Sequence, residues 1–221
     1  MSLTPHKDYN PIIEVRVAKP RKRSAPVPVP FRSRFDVVAI GASAGGLNAL
    51  TATLHSLPHD FPGSIVIVQH LSPQHKSHLP ELLGHATRLH VKQAEHGDVL
   101  LPGWIYVAPP DEHLLVGPGK LQLAHSQLVH FTRPSIDLLF ESVAGTYGSR
   151  SIGVVLSGSG HDGASGIQAI KESGGVTIVQ KRAEFGSMPE AALATNSVDR
   201  ILLAEEIGPE LVDLCTGNGI R

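Results

Sequence analysis

Three short segments concentrate the side chains of nucleophilic acyl transfer. Gly41-Ala42-Ser43-Ala44-Gly45-Gly46 sets a serine between glycines, Gln69-His70 ends an apolar run, and Gly158-Ser159-Gly160-His161-Asp162-Gly163 sets an aspartate in a glycine-rich turn. Serine is a weak nucleophile until a base takes its proton. Imidazole can do this near neutral pH, and a carboxylate can hold the imidazole tautomer and stabilise the imidazolium. Ser43, His70 and Asp162 are therefore the candidate catalytic residues. Segment 41–45 also fits G-x-S-x-G, in which a sharp strand-to-helix turn lifts the serine oxygen clear of the backbone. Backbone N–H groups near Ala44, and near Ser159 in the second glycine turn, are candidate donors to an oxyanion.

Rival chemistries fit less well. A glycine turn after a first strand also cradles phosphates, but the spacing here is G-x-x-x-G-G rather than G-x-G-x-x-G. The second apolar run ends in Gln69-His70, where a ribose-binding carboxylate would be expected, and no Gly-Lys-Ser/Thr follows the first glycines. His161 competes with His70 for the role of base. Asp162 stands where it could instead cap the helix that follows. His75, His78, His85, His90 and His96 invite a metal, yet none forms a His-Glu-x-x-His helix, and no metal or other cofactor is expected.

The elements that must position these residues follow from periodicity. FDVVAIG, SIVIVQH, RSIGVVLSG and GGVTIVQ are short, β-branched and apolar, and read as buried strands. Between them, Leu47, Leu50, Leu54 and Leu57 form one helical stripe, and PELLGHA a short helix. WIYVAPP reads as a strand, and HLLVGPGKLQLA as two strands with a tight turn at Gly117 to Gly119. Ser135 can cap a helix that buries Ile136, Leu139, Phe140 and Val143. A helix with Ala164, Ile167 and Ile170, a last strand RILL and a helix with Ile207, Leu211 and Leu214 follow. Alternating strands and helices predict an α/β fold: a doubly wound, mainly parallel sheet with helices on both faces. Right-handed crossovers then bring the C-terminal ends of the strands to one edge, where all three candidate residues lie.

Residues 1–34 contain PRKRSAPVPVPFRSR and read as a stiff, basic tail or linker, alternatively a docking arm; residues 35–221 form the catalytic domain. The net charge of -1 gives no global grip on nucleic acid or anionic membrane. No apolar run is long enough to span a bilayer, so a cytoplasmic setting is expected. The single cysteine, Cys215, excludes an internal disulfide.

From about Phe35 to Glu206 the chain resembles the CheB-type protein-glutamate methylesterase domain of bacterial chemotaxis. The resemblance rests on VVAIGASAGGLNAL, IVIVQHLSP, YVAPPDEHLL, RPSIDLLFESVA, GVVLSGSGHDGASGIQAIKESGGVTIVQ and SMPEAALATNSVDRIL. It implies a Rossmann-like three-layer fold and hydrolysis of γ-glutamyl methyl esters on chemoreceptor helices, with deamidation of receptor glutamines in many members. The family's nucleophile, base and orienting acid fall on Ser43, His70 and Asp162. Ala44 stands where many members have threonine, and Ser159 where many have methionine. GSMP, around Met188 and Pro189, replaces the common GMP. Typical members carry a receiver domain, so a receiver or sensory domain in cis or trans is an expected partner. GASAGG and the HLSP segment also resemble methylesterase domains fused to methyltransferase domains. Arg133, just before Pro134-Ser135, is a candidate contact for acidic residues of the substrate. Two alternatives stand beside this reading: a receptor-binding module without hydrolysis, and a serine esterase of small molecules.

Overall fold

The computed structural model describes residues 34–70 and 77–217. The basic, proline-rich tail (Arg34 excepted), His75 and the Leu71-Ser72-Pro73 part of the HLSP segment lie outside the described residues.

Nine strands and six α-helices alternate along the described chain: β1 (Val37–Ala42), α1 (Gly46–His55), β2 (Ser64–Gln69), α2 (Leu79–Ala86), β3 (His90–Gln93), β4 (Trp104–Val107), β5 (His113–Gly117), β6 (Lys120–Ala124), α3 (Ile136–Tyr147), β7 (Ser151–Val155), α4 (Ala164–Glu172), β8 (Val176–Gln180), α5 (Ser187–Ala194), β9 (Arg200–Leu202) and α6 (Ala204–Thr216). Seven strands form one sheet in the order β3-β4-β2-β1-β7-β8-β9, and every pairing in it is parallel. β5 and β6 form a separate antiparallel hairpin, turned at Pro118-Gly119 with Gly119 at φ +70°.

Side chains alternate across this sheet, so each central strand feeds two cores. Val38, Ile40, Ile65, Ile67, Ile105, Ile152, Val154 and Ile178 pack under α1, α2 and α6. Val37, Ala39, Val66, Val68, Tyr106, Val155 and Val179 pack under α3, α4, α5 and the hairpin. This is the expected three-layer arrangement. Burying one such aliphatic side chain stabilises the fold by about 1.5–3 kcal/mol. Among the described residues, no helix is long and apolar enough to cross a membrane.

Details differ from the sequence reading. Leu50, Leu54 and Leu57 are buried as expected, Leu57 just beyond the helix end, but Leu47 is exposed and Ala49 and Thr53 join the buried face of α1. Thr53, buried on this face, donates its hydroxyl to the Ala204 carbonyl at 3.1 Å. β3 was not legible as a strand: HVKQ is polar and sits at the sheet edge, with no face fully buried. α5, starting within the GSMP segment, was likewise not anticipated.

β1 sits where the chain reverses its direction across the sheet, with β2 on one side and β7 on the other. In open parallel sheets the crevice at such a switch point is where ligands bind. Two glycines allow the close packing there. A Cβ at Gly41 would lie 2.4 Å from Ile136 at the start of α3, and one at Gly166 would lie 2.5 Å from Phe140. Their absence lets α3 press against β1 and α4 against α3.

Candidate active site

The last paired residues of β1 and β2 are Ala42 and Gln69. Ser43 and His70 are therefore the first residues beyond the ladder, on strands about 4.8 Å apart, and the His70 N–H still donates to the Ala42 carbonyl at 3.0 Å. The turn carrying Ser43 is fastened on every side. Its N–H donates to the Ser157 carbonyl at 2.9 Å, and its carbonyl accepts from Gly46 N–H at 2.9 Å. The Gln69 amide nitrogen bridges the Ser43 carbonyl (2.7 Å) and the His70 carbonyl (3.1 Å). Gly45 takes φ +70°, and a Cβ at Gly46 would lie 2.1 Å from Gln69 Oε1, so glycine is required for the amide to reach. Ser157 Oγ donates to the Ala44 carbonyl at 2.8 Å and accepts from Phe185 N–H at 3.0 Å.

Asp162 reaches this edge from the loop after β7. Its side chain is 4% exposed. It does not cap its own helix; α4 has Gly163 at its N-cap and no side-chain cap there. The carboxylate turns instead to the start of α3. Oδ1 accepts from Asp137 N–H (2.9 Å) and Ser135 Oγ (3.0 Å), and Oδ2 accepts from Ile136 N–H (2.8 Å). Oδ2 also lies 2.9 Å from His70 Nε2 and 3.1 Å from Thr132 Oγ1. Burial works to raise the Asp162 pKa. The bonds from His70, Asp137 N–H and Ile136 N–H outweigh it and hold the value down at about 2. An ionised carboxylate only accepts, so Nε2 of His70 carries the proton and donates. Nδ1 is the ring nitrogen that this bond leaves over.

The start of α4, deprived of Asp162, is capped by Asp137. Its Oδ1 accepts from Gly163 N–H (2.9 Å) and Gly166 N–H (2.7 Å). Asp137 Oδ2 is buried without a hydrogen bond and faces His130 Nε2 at 3.4 Å. His130 Nδ1 in turn lies 3.2 Å from His161 Nε2, with the rings edge to face at 4.6 Å. His161 therefore leans on the histidine of a second aspartate–histidine pair, Asp137–His130.

Ser159 is exposed and shares a cavity of about 70 Å³ with His70, Asp162, His130 and His161. Its neighbour Gly158 touches the Ser43 turn: a Cβ there would lie 2.9 Å from Ser43 Cβ and 2.1 Å from Met188 Sδ. Among the described residues, no hydrogen bond uses the Ala44 or Ser159 N–H. Arg133 lines a cavity of about 210 Å³ that also includes His70. Its guanidinium is occupied, however, by Asp111 Oδ1 through Nε (2.9 Å) and Nη2 (2.6 Å), and by the Ser126 carbonyl through Nη1 (2.6 Å).

The other described histidines singled out in the sequence lie apart from one another. His78 precedes α2, His90 stacks on Trp104 at 4.8 Å, and His96 Nδ1 accepts from Leu123 N–H at 3.3 Å. His85 lines an open cavity beside β3. Among the described residues, no group of three or more His, Cys, Asp or Glu is placed to hold a metal ion. The sequence reading gave no part in the site to Gln69, Thr132, Asp137 and Ser157, and gave Ser135 only its helix cap, which the structure shows. The available signal was positional: all but Thr132, which lies in the turn before α3, are polar residues at or just beyond the end of a buried strand or at the start of a helix on the same sheet edge.

A parallel α/β domain with serine, histidine and a buried aspartate converging on its switch point is the class these features define. Residues 38–211 match the family model described as CheB methylesterase, and the chain belongs to that family. It is 41% identical over 206 residues to a protein-glutamate methylesterase/protein-glutamine glutaminase of Anaeromyxobacter dehalogenans, covering 92% of this chain but 59% of that relative. It is 38% identical over 187 residues to a putative protein-glutamate methylesterase/protein-glutamine glutaminase of Leptospira interrogans, covering 83% of this chain and 97% of that one. The crystal structure of the Thermotoga maritima CheB methylesterase catalytic domain superimposes with a TM-score of 0.78 at 34% identity, covering 81% of this chain and 98% of that chain.

Proposed function

We propose that this chain hydrolyses γ-methyl esters of glutamate on the cytoplasmic helices of methylated chemoreceptors, releasing methanol. Ser43 is the nucleophile, His70 the general base and acid, and Asp162 the residue that orients His70. The observation that carries this reading is the Asp162 carboxylate, buried at the N-terminus of α3 and bonded at 2.9 Å to the histidine beside the serine turn.

The Ser43 Oγ forms a bond to the ester carbonyl carbon as its proton passes to His70 Nδ1. The tetrahedral oxyanion is held by the N–H groups of Ala44 and Ser159; one such donor is worth about 10²–10³ in rate. Collapse breaks the carbon–methoxy bond, and the departing oxygen takes the proton from His70 as methanol. Water then attacks the glutamyl-serine ester, His70 accepts its proton and returns it to Ser43, and the glutamate carboxylate leaves. With a glutamine side chain the same sequence expels ammonia, the deamidation named for several relatives. Arg133, paired with Asp111, fixes the loop before α3 rather than presenting a free charge. A receiver or sensory domain, in cis or in trans, is the partner we assign for control of access.

The test is release of volatile labelled methanol from a receptor fragment carrying methyl-labelled glutamyl esters. Wild type should release it and Ser43→Ala should not. Equal release by both would remove Ser43 from the mechanism, and no release by wild type would overturn the activity.

A further inference from the structure

The segment between β6 and α3 makes a two-residue turn beside the triad. Val129 and Thr132 exchange backbone hydrogen bonds of 3.1 and 2.8 Å. The two residues between them, His130 and Phe131, both have positive φ, +49° and +62°. Turns of this pattern strongly prefer asparagine and glycine at those positions, and an aromatic side chain there is unusual. Phe131 is nevertheless present and is 97% exposed, so its packing within the described residues does not account for it.

The turn is fixed to the catalytic machinery itself. Thr132 Oγ1 donates to the Val129 carbonyl at 2.7 Å and lies 3.1 Å from Asp162 Oδ2. His130 leans on Asp137 and His161. Three residues on, Arg133 clamps Asp111 and the Ser126 carbonyl. Phe131 therefore stands at a set place relative to His70. It lines the same 210 Å³ cavity as His70, together with Leu128 and Pro134. Leu128 is itself 55% exposed. Across the serine turn, Phe185 is a further exposed apolar residue, placed 3.0 Å from where a Cβ on Gly45 would lie. The two charged groups of the cavity, Arg133 and Asp111, neutralise each other, which leaves an apolar rim.

We propose that Phe131 and Leu128 form a preorganised apolar anchor for the polypeptide helix that carries the esterified glutamate. They engage aliphatic side chains a helical turn away from the ester, and so select helix-borne esters over small ones. The proposal rests on the activity assigned above and adds the residues that determine its substrate. A helix presents neighbours at three- and four-residue spacing, so a fixed apolar contact beside the nucleophile also sets which side chain reaches Ser43.

The test compares the full chain with Phe131→Asn, Phe131→Leu and Leu128→Ser on two substrates. One is the methyl-labelled receptor fragment and the other is N-acetylglutamate γ-methyl ester, which has the same reacting group and no helix. Asparagine tolerates positive φ, so Phe131→Asn keeps the turn while removing the anchor. The ratio of kcat/KM on the receptor fragment to that on the small ester should fall about tenfold in Phe131→Asn and in Leu128→Ser, through KM, as for loss of one interface anchor. Phe131→Leu should recover most of it. Equal losses on both substrates would mean that the turn only supports the triad, and no loss on either would mean an idle side chain; each would overturn the anchor. A dimer abolished by Phe131→Asn, seen by sedimentation at assay concentrations, would assign the patch to a second copy and overturn it too. Hydrolysis of neither substrate by wild type would instead remove the assigned activity, and the anchor with it.

Discussion

Asp162 and Asp137 stand at the starts of neighbouring helices and exchange their caps. Each carboxylate serves the other's helix: Asp162 accepts from the first N–H groups of α3, and Asp137 from those at the start of α4. Both are buried, and each faces a histidine. Their electrostatics nonetheless diverge. Asp162 is held at about 2 because His70 and two backbone N–H groups outweigh its burial. The Asp137 pKa is raised, first by burial and then by the charge of Asp162, against the bonds from Gly166 and Gly163. Two groups of one chemistry are pushed apart by what their second oxygen meets. Asp162 Oδ2 receives a 2.9 Å bond from His70, whereas Asp137 Oδ2 has only His130 at 3.4 Å. One aspartate becomes a firm anion against His70, and the other ties two helices together.

The largest expected effect separates the two on turnover. Asp162→Asn should keep the fold yet lower kcat about 10⁴-fold, because an amide cannot hold the same histidine tautomer. Asp137→Asn should retain kcat within about tenfold, since the substitution keeps the backbone N–H that bonds Asp162 and changes only the side chain that caps α4. Steady-state methanol release measures both. Wild-type-like turnover in Asp162→Asn would remove it from the triad, and an equal collapse in both variants would dissolve the distinction.

Stability should reverse that order of importance. Asp137→Ala leaves the Gly163 and Gly166 N–H groups buried without acceptors, at a cost of about 2 kcal/mol. Urea denaturation of Asp137→Ala and Asp137→Asn, with the activity of each measured in the same buffer, tests this. Asp137→Asn keeps an acceptor oxygen and should lose about half as much. A loss in Asp137→Ala smaller than in Asp137→Asn would mean that the cap is not what Asp137 supplies.

Acid should show the two signs directly. Asp162 is depressed from 3.8 to about 2, so its contribution is present above about pH 4 and disappears as pH falls from about 4 to about 2. The shift corresponds to about 2 kcal/mol. Asp137 acts in the other direction. Its folded pKa is raised, so the native state gains protons before the unfolded state does, and this group favours folding as pH falls towards the unfolded carboxylate range. The stability difference between wild type and Asp162→Asn should therefore shrink below pH 4, and that between wild type and Asp137→Asn should move the opposite way above it. Denaturant midpoints at half-unit pH steps would show whether the signs differ.

The placement of the candidate residues on one sheet edge was legible in the sequence, for a physical reason. Strand ends in a parallel sheet converge on one edge, so Ser43, His70 and Asp162 could be brought together from the apolar runs alone. The roles that escaped are those set by tertiary pairing. Asp162 offers itself locally as a cap for α4, and nothing local says that its carboxylate crosses to α3. Asp137 in Ser-Ile-Asp looks like an ordinary acidic first turn. Arg133 looks available for a substrate until Asp111, 22 residues earlier, is seen to occupy it. β3 escaped because an edge strand needs no apolar alternation, and HVKQ has almost none.

The smallest expected effect tests whether the second aspartate–histidine pair has any chemistry. Asp162 bonds His70, the residue proposed to activate Ser43, whereas Asp137–His130 leads to His161, another imidazole. His161→Ala should leave kcat on a small glutamyl ester within about threefold, because its loss removes one exposed ring contact of about 0.5–1.5 kcal/mol. His70→Ala, measured alongside, should abolish turnover. If His161→Ala falls nearly as far as His70→Ala while its circular dichroism and urea midpoint stay unchanged, a second base acts in the crevice. The Asp137 pair would then be a working copy of the first rather than a structural one.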